Sequence, residues 1–339
     1  MHYRVPFFNQ LAEKLSRPIA VIAGSYGSEL DENEFKFDVQ KLPIIKRGPF
    51  RTVKNLNAMA DRSAVHILPF DLHEWPSLRS TMRRKSPLIL WGHSHGSRGF
   101  LKPFRRWMAN RSDAIVVYTQ PGKDQLVKEG LDSSKVFVAN NTVDISNAGF
   151  DDSVQRTSFL FSGRITERKK VDEALQAFAK IKNEIPDQIG FEIVGDGPER
   201  SALEQMAADL DLASRVTFHG SIYDPEQLKT IFQRSLAFVS PGHVGLGVLH
   251  SFAYGVPPLT RRHANHAPEF QHIRENENGL LFDGTIGDLA VAMKNLCERD
   301  LSRTLGQNGS NYYTSHCTLD NATQGMIDAI NFAQRRDGV

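Results

Sequence analysis

Phe159-Leu-Phe-Ser-Gly-Arg-Ile-Thr-Glu-Arg-Lys-Lys170, a helical pattern, and then Phe191-Glu-Ile-Val-Gly-Asp-Gly-Pro-Glu-Arg200 form the stretch that decides how this chain folds. The apolar run Phe159 to Phe161 stops at Ser162-Gly163. A cation, Arg164, follows at once, and the cluster Arg168-Lys169-Lys170 stands just before a helix. A second apolar run ends in Gly195-Asp196-Gly197-Pro198 and opens another helix. Strand, glycine turn, helix, repeated, is the rhythm of a doubly wound parallel α/β sheet. Such sheets bind ligands outside the carboxyl ends of their strands, so Arg164 and Lys169 lie where a bound anion would sit. Two fixed cations there could neutralise a departing diphosphate. Taken singly, the basic turn also reads as solvated, and Gly195-Asp-Gly-Pro198 as a common turn with its proline in the first helical turn.

Outward from this stretch the rhythm continues. Val216-Thr-Phe-His-Gly220, with His219 at its end, Leu236 to Ser240 and Val256 to Leu259 read as further strands, and 284–298 and 319–335 as helices. Pro241-Gly-His-Val-Gly-Leu-Gly-Val-Leu-His250 puts Gly242, His243, Gly245, Leu246 and Gly247 between a strand and a helix. A helix start offers unpaired N–H groups, a seat for phosphate, and His250 lies one turn in, within reach of a ribose hydroxyl. The plain alternative is a glycine turn before a core helix.

The first half is read more coarsely. Residues 5–16 suggest a helix with Pro6 in its first turn, and Pro18 to Gly24 a strand. Short apolar runs at Ala64–Leu68, Pro87–Trp91, Ala114–Tyr118 and Val136–Ala139 read as buried strands, with helices at 74–83, 98–109 and 121–130. A doubly wound domain usually opens on a strand, and here a helix comes first: either a first strand is missing or the fold begins atypically. Trp91-Gly-His-Ser-His-Gly96 places His93 and His95 after a strand, as site residues or as two of a metal's ligands with no third nearby. The polar, aperiodic segment Ile145 to Arg156 reads as a linker.

Composition narrows the classes. The chain has 339 residues, enough for two cores, and a net charge of +2. Residues 1–150 carry about +8 and the remainder about −6 by residue count, so the first half suits an anionic partner. Phe100 to Arg111 mixes aromatic side chains with Lys102, Arg105, Arg106 and Arg111, and Arg83-Arg84-Lys85 lies nearby. It reads as a helix for anionic lipid headgroups or as a core helix with a basic back. Nucleic acid is not expected, since no recognition module appears. The N-terminus has no signal-peptide pattern, no apolar run reaches membrane-spanning length, and the cysteines, Cys297 and Cys317, suit a reduced, cytoplasmic setting.

In this order and spacing the pieces resemble a GT-B glycosyltransferase, most similar to retaining glycosyltransferase family 4. Ser162-Gly-Arg164 with Lys169 resembles the family's diphosphate-binding Arg/Lys pair. Ile193-Val-Gly-Asp-Gly-Pro198, Val216 to Gly220, Pro268-Glu269 and Asn278-Gly-Leu-Leu-Phe282 resemble its later elements. Tyr3 to Phe8, Trp91-Gly-His93 and Asn140-Asn-Thr-Val-Asp144 match the first half more loosely. The resemblance implies two Rossmann-like doubly wound parallel-sheet domains facing a cleft: 1–145 on the acceptor side, 155–315 for the nucleotide sugar, and a C-terminal helix within 316–339 crossing back. It implies retaining sugar transfer to a hydroxyl of a saccharide or lipid-linked saccharide, with the nucleotide sugar as substrate and no cofactor. No Asp-x-Asp-type metal motif stands out, so no metal is expected; the expected setting is the cytoplasm, and the charge split suits a peripheral place at the inner membrane face. Arg164, Lys169, His93 and His95 would be catalytic. Gly163, Gly195, Asp196, Gly197, His219, Gly242, His243, Gly245, Leu246, Gly247 and His250 would hold the donor. There are two departures: family members normally have a strand and loop before the segment resembling Tyr3 to Phe8, and the family's Glu-x7-Glu pair is replaced by Gly242 and His250. That leaves open a nucleotide-sugar-binding protein without transfer, or a GT-B epimerase.

Overall fold

The computed structural model describes residues 4–23, 32–54, 56, 65–81, 86–93, 102–145 and 147–336. The chain divides into two units, Met1–Asp144 with Leu319–Val339, and Ile145–Thr318. His95, Arg83, Arg84 and Lys85 lie outside the described residues.

The first unit opens with helix α1 (Val5–Leu15), then β1 (Ala20–Ala23), β2 (Asp38–Lys41), β3 (Ile44–Arg47) and β4 (Phe50–Val53). There follow β5 (His66–Pro69), α2 (Trp75–Thr81), β6 (Leu88–Gly92), α3 (Lys102–Asn110), β7 (Ala114–Val117), α4 (Gln120–Lys128) and β8 (Val136–Val138). Strands β5, β6, β7 and β8 form a parallel sheet in that order, β1 pairs with β2 in parallel, and β3–β4 is an antiparallel hairpin. The pair β1–β2 and the hairpin are short and half exposed, which is why no periodic pattern announced β2, β3 or β4. Helix α3 spends its apolar face on the core. Met108 and Ala109 are buried, Phe104 stacks on Trp107, and both rings lie against Trp75. Arg105 is buried over the Phe70 ring, and Arg111 lies over Trp107. Phe104 and Trp107 are themselves half-buried, packed against the core of this unit. No helix among the described residues is long and apolar enough to cross a membrane.

The second unit runs β9 (Ser158–Ser162), α5 (Val171–Ile181), β10 (Gly190–Val194), α6 (Arg200–Asp209), β11 (Val216–Gly220), α7 (Pro225–Gln233) and β12 (Ser235–Ser240). It continues with α8 (Gly247–Ala253), β13 (Pro258–Arg261), β14 (Leu280–Phe282), α9 (Ile286–Leu296) and α10 (Arg299–His316). The last helix, α11 (Leu319–Arg336), belongs to the first unit, where Ala322, Met326 and Ala329 pack with Phe7, Leu11, Ile89 and Val116. The second sheet is wholly parallel, in the order β11-β10-β9-β12-β13-β14. Its core is aromatic: Phe159, Phe161, Phe178 and Phe191 are fully buried, with the Phe178 ring edge-on to Phe159 and Phe191. Burying one such side chain contributes about 2–3 kcal/mol.

Residues 145–156, read as a linker, are strapped to the second unit. Gly149 N–H donates to Ala253 O at 2.8 Å, and Arg156 donates to Ser302 Oγ and Gly255 O at 2.9 and 2.6 Å. Strand β13 begins two residues later than the apolar run Val256–Leu259 suggests. Phe238 N–H donates to Pro257 O, and the register pairs Phe238 with Pro258.

His272 is 2% exposed, 3.2 Å from the hydroxyl of Tyr312 on α10. Burial, with a smaller push from His316, lowers its pKa from 6.5 to about 4. A histidine held neutral by the fold stabilises it above the unfolded pKa, and that stability is lost as pH falls toward the folded value. From about pH 7.5 to about pH 5 the loss from His272 is about 2 kcal/mol. Denaturant unfolding at both pH values should show it, with a reduced pH slope in His272→Gln; an equal slope in the variant would contradict the assignment.

Candidate functional site at the strand switch point

The order β11-β10-β9-β12-β13-β14 reverses its direction of growth between β9 and β12. The loops leaving the carboxyl ends of two such neighbours diverge and leave a crevice between them. Ser162-Gly163-Arg164 leaves β9, and Pro241-Gly242 leaves β12.

Three strand ends are stitched together by backbone. Gly163 N–H donates to Val194 O at 2.9 Å, Ile165 N–H to Asp196 O at 2.9 Å, and Gly195 N–H to Gly220 O at 2.7 Å. The approach is too close for side chains: a Cβ on Gly195 would stand 2.0 Å from Gly163 O, and one on Gly197 2.0 Å from Ile165 O. Asp196 is used within its turn, accepting from Gly197 N–H at 2.7 Å and pairing with Arg200 at 3.2 Å. Ile165 is fully buried, whereas its neighbour Arg164 is exposed, with no hydrogen bond or ion pair among the described residues.

Lys169 ends a 3₁₀ turn, Glu167–Lys169, and Lys170 then takes a left-handed conformation that starts α5. The Lys169 ammonium donates to His243 O at 2.8 Å. In return Gly242 N–H donates to Lys169 O at 3.1 Å and His243 N–H to Arg168 O at 2.9 Å. Burial pushes the Lys169 pKa down to about 8, the Arg168 charge adds to the shift, and Glu269 opposes it. Glu269 is itself 2% exposed.

The glycine loop is clamped from its other side. Val244 N–H donates to His266 Nδ1 at 3.2 Å, Ala267 N–H donates to Val244 O at 3.0 Å, and His266 Nε2 lies 2.7 Å from Arg261 O. His266 must then be neutral, protonated on Nε2 only; burial lowers its pKa accordingly, and its ring stacks on Phe270 at 4.2 Å. His243 donates from Nδ1 to Asn265 O at 2.5 Å, and burial first, then Lys169 and Arg168, lower its pKa. The next three amides differ. Those of Gly245, Leu246 and Gly247 donate to nothing among the described residues, and all three residues are half-buried. Successive unpaired amides make an anion-binding concavity. Helix α8 that follows has only seven residues, so the loop amides rather than a long helix dipole supply the positive potential.

His250 is in α8, its ring stacked on Phe232 at 6.1 Å and its Nδ1 3.4 Å from Leu246 O. Burial lowers its pKa, which leaves Nε2 as an acceptor. His219 faces a different partner: its Nε2 lies 2.8 Å from Glu192 Oε2, and Arg234 binds the same carboxylate. Burial would raise the Glu192 pKa, but the hydrogen bonds from Arg234, Ser158 and His219 outweigh it and hold it low. His93 belongs to the first unit, exposed, its ring edge-on to Tyr118 at 5.1 Å and its carbonyl bound by Arg105. Among the described residues no group of three or more His, Cys, Asp or Glu could hold a metal ion.

Lys169, Gly242, His243 and the free amides are thus brought together in the second unit, and Arg164 stands exposed two residues beyond the end of β9. The sequence reading did not single out His266, Asn265 or Glu269 as site residues. The signal lay in His263-Ala-Asn-His-Ala-Pro-Glu269, a polar, proline-broken run directly after a strand.

Two family models match the chain: "Glycosyl transferases group 1" over residues 150–312 and "Glycosyltransferase Family 4" over residues 8–147. The lipopolysaccharide core biosynthesis glycosyltransferase LpsE of Rhizobium meliloti is 28% identical over 194 residues, covering 55% of this chain and 53% of its own. An N-acetyl-D-galactosaminyltransferase of Campylobacter jejuni, named for a PP-undecaprenol-linked acceptor, is 25% identical over 270 residues, covering 77% of this chain and 72% of its own. The chain spans about half the length of the first curated relatives it matches. Among solved structures, Anabaena HepE in complex with UDP superposes with a TM-score of 0.72 at 16% identity, covering 96% of this chain and 95% of its own. With one family model on each half and this fold, the chain belongs to the GT-B glycosyltransferases of the family 4 type.

Proposed function

We propose that this protein moves a sugar from a nucleotide-sugar donor to a hydroxyl of a saccharide or lipid-linked saccharide, with retention at the anomeric carbon and without a metal ion. The observation that carries the reading is the run of three unpaired amides, Gly245 to Gly247, in the loop that Lys169 binds, at the strand switch point. As the bond from sugar to diphosphate breaks, negative charge grows on the diphosphate. Donors already in place stabilise that charge without reorganising. Lys169 and Arg164 supply cations and the three amides supply neutral donors. His250 Nε2 accepts a ribose hydroxyl, and Gly195 and Gly197 let the loops that leave β9 and β10 close on one another at the sheet edge where the nucleotide would lie. Gly242 offers no carboxylate, so the donor sugar is oriented by backbone groups of this loop and by His243. His93 and His95 are the first unit's candidates for the acceptor hydroxyl.

Purified protein should be offered UDP-, GDP-, ADP-, CMP- and dTDP-sugars, with nucleotide release followed with and without saccharide acceptors. Acceptor-dependent release that survives a chelator is the expected result. Binding without turnover on any donor would instead make this a nucleotide-sugar-binding protein, and conversion of the donor without acceptor an epimerase. Activity abolished by chelator and restored by magnesium or manganese would overturn the metal-independent part.

A further inference from the structure

A cavity of about 640 Å³ opens in the second unit beside Gly242 and His243. Its charged lining is Arg168, Lys170, Arg261 and Glu173, and Asn265 and His243 add polar groups. Arg164, Lys169 and the three unpaired amides are not part of this lining. The cavity is therefore built on the residues that flank Lys169 in sequence rather than on Lys169 itself.

Its charge is net positive. Arg261 is fixed by hydrogen bonds to Gly284 O and to the Glu173 carboxylate, and it lies over the Phe282 ring at 4.9 Å. That pair offsets the one carboxylate present. The Arg168 guanidinium has no hydrogen bond or ion pair among the described residues, and the Lys170 ammonium meets the Glu167 carboxylate only at 3.9 Å on the exposed surface. His243 is neutral for the reasons given above. The remaining excess is two cations beside hydrogen-bonding groups, in a volume suited to a small polar molecule. Paired cations with free donors are the chemistry that holds a phosphate group.

We propose that this cavity is a second anion site, taking a phosphate monoester of sugar-phosphate size with its phosphate on Arg168 and Lys170, separate from the donor diphosphate site. The two sites share a wall. Arg168 O and Lys169 O accept the amides of His243 and Gly242, so the backbone that lines the cavity also holds the loop bound by Lys169.

Titration calorimetry of the full chain with glucose 6-phosphate, at low salt and with or without saturating uridine diphosphate, tests this. The expected result is binding in both cases, weakened about tenfold in Arg168→Gln and in Lys170→Gln and unchanged in Arg164→Ala. Uridine diphosphate titrated alone reports the donor reading separately. No binding up to about 10 mM, displacement by uridine diphosphate, or full affinity in both folded variants would overturn the proposal. Inorganic phosphate binding as tightly as glucose 6-phosphate would overturn the monoester assignment.

Discussion

Lys169→Ala is expected to weaken nucleoside diphosphate binding by about 10- to 150-fold, since a charge-assisted hydrogen bond is worth about 1.5–3 kcal/mol. Arg164→Ala should cost binding by a similar factor. The two variants differ in stability. Arg164 is exposed and makes no hydrogen bond or ion pair among the described residues, so its loss should leave the melting temperature in place. Lys169 binds His243 O, so its loss also loosens the glycine loop, at about 1 kcal/mol. The pH dependence is a sharper test. With its pKa pushed down to about 8 by burial and by the Arg168 charge, against the opposing Glu269, the amine is mostly protonated at neutral pH and mostly neutral one unit above that value. Only the ammonium attracts phosphate, so affinity should fall about tenfold from about pH 7 to about pH 9. The diphosphate, with its last pKa at about 6, is almost fully ionised already at pH 7 and only gains charge above it. Lys169→Arg keeps its charge throughout and should abolish the slope. Calorimetry across this range decides the matter; a flat wild-type profile, or full affinity in both alanine variants, removes Lys169 and Arg164 from the site.

Gly242→Glu, which writes the family's first glutamate back into the chain, is expected to destabilise the second unit rather than improve catalysis. A Cβ at this position would stand 2.1 Å from Arg168 O and 2.8 Å from Lys169 C. Those are backbone atoms of a tight turn, and they cannot swing aside as a flexible side chain would. Making room means breaking the bonds from Gly242 N–H to Lys169 O and from His243 N–H to Arg168 O. The cost is on the order of 3 kcal/mol or more. It also moves Lys169, so diphosphate affinity should fall with stability. Gly242→Ala carries the same clash without the charge and should lose nearly as much. Denaturant unfolding beside nucleotide titration tests both variants. A Gly242→Glu protein of wild-type stability with raised turnover would show that the loop has room for the carboxylate.

The contrast between Arg164 and His266 shows what could be read in advance. Arg164 and Lys169 were legible because a strand run, a glycine stop and a cation follow one another within a few residues, and that local order fixes which end of the sheet they reach. The glycines at 163, 195 and 197 were legible as turns. Their reason, a carbonyl 2.0 Å from each missing Cβ at 195 and 197, belongs to the meeting of three loops far apart in the chain. His266 gave no local sign, because its role depends on Val244 and Arg261 converging on one ring. Helix α10 was missed for a related reason. Its middle, Leu305-Gly-Gln-Asn-Gly-Ser310, is poor in helix formers, yet Gly306 and Gly309 are where it packs onto Gly255 O and the Phe252 ring.

Strand and helix rhythm, the parallel sheet and the two cations at its carboxyl edge follow from the order of residues along the chain, because periodicity and turn chemistry act over a few neighbours. The closing of Gly242 over Arg168, the depressed Lys169 amine, the three unpaired amides and the second cationic cavity come from segments about seventy residues apart meeting face to face. Burial and backbone contact at that distance have no signature in any short window of sequence.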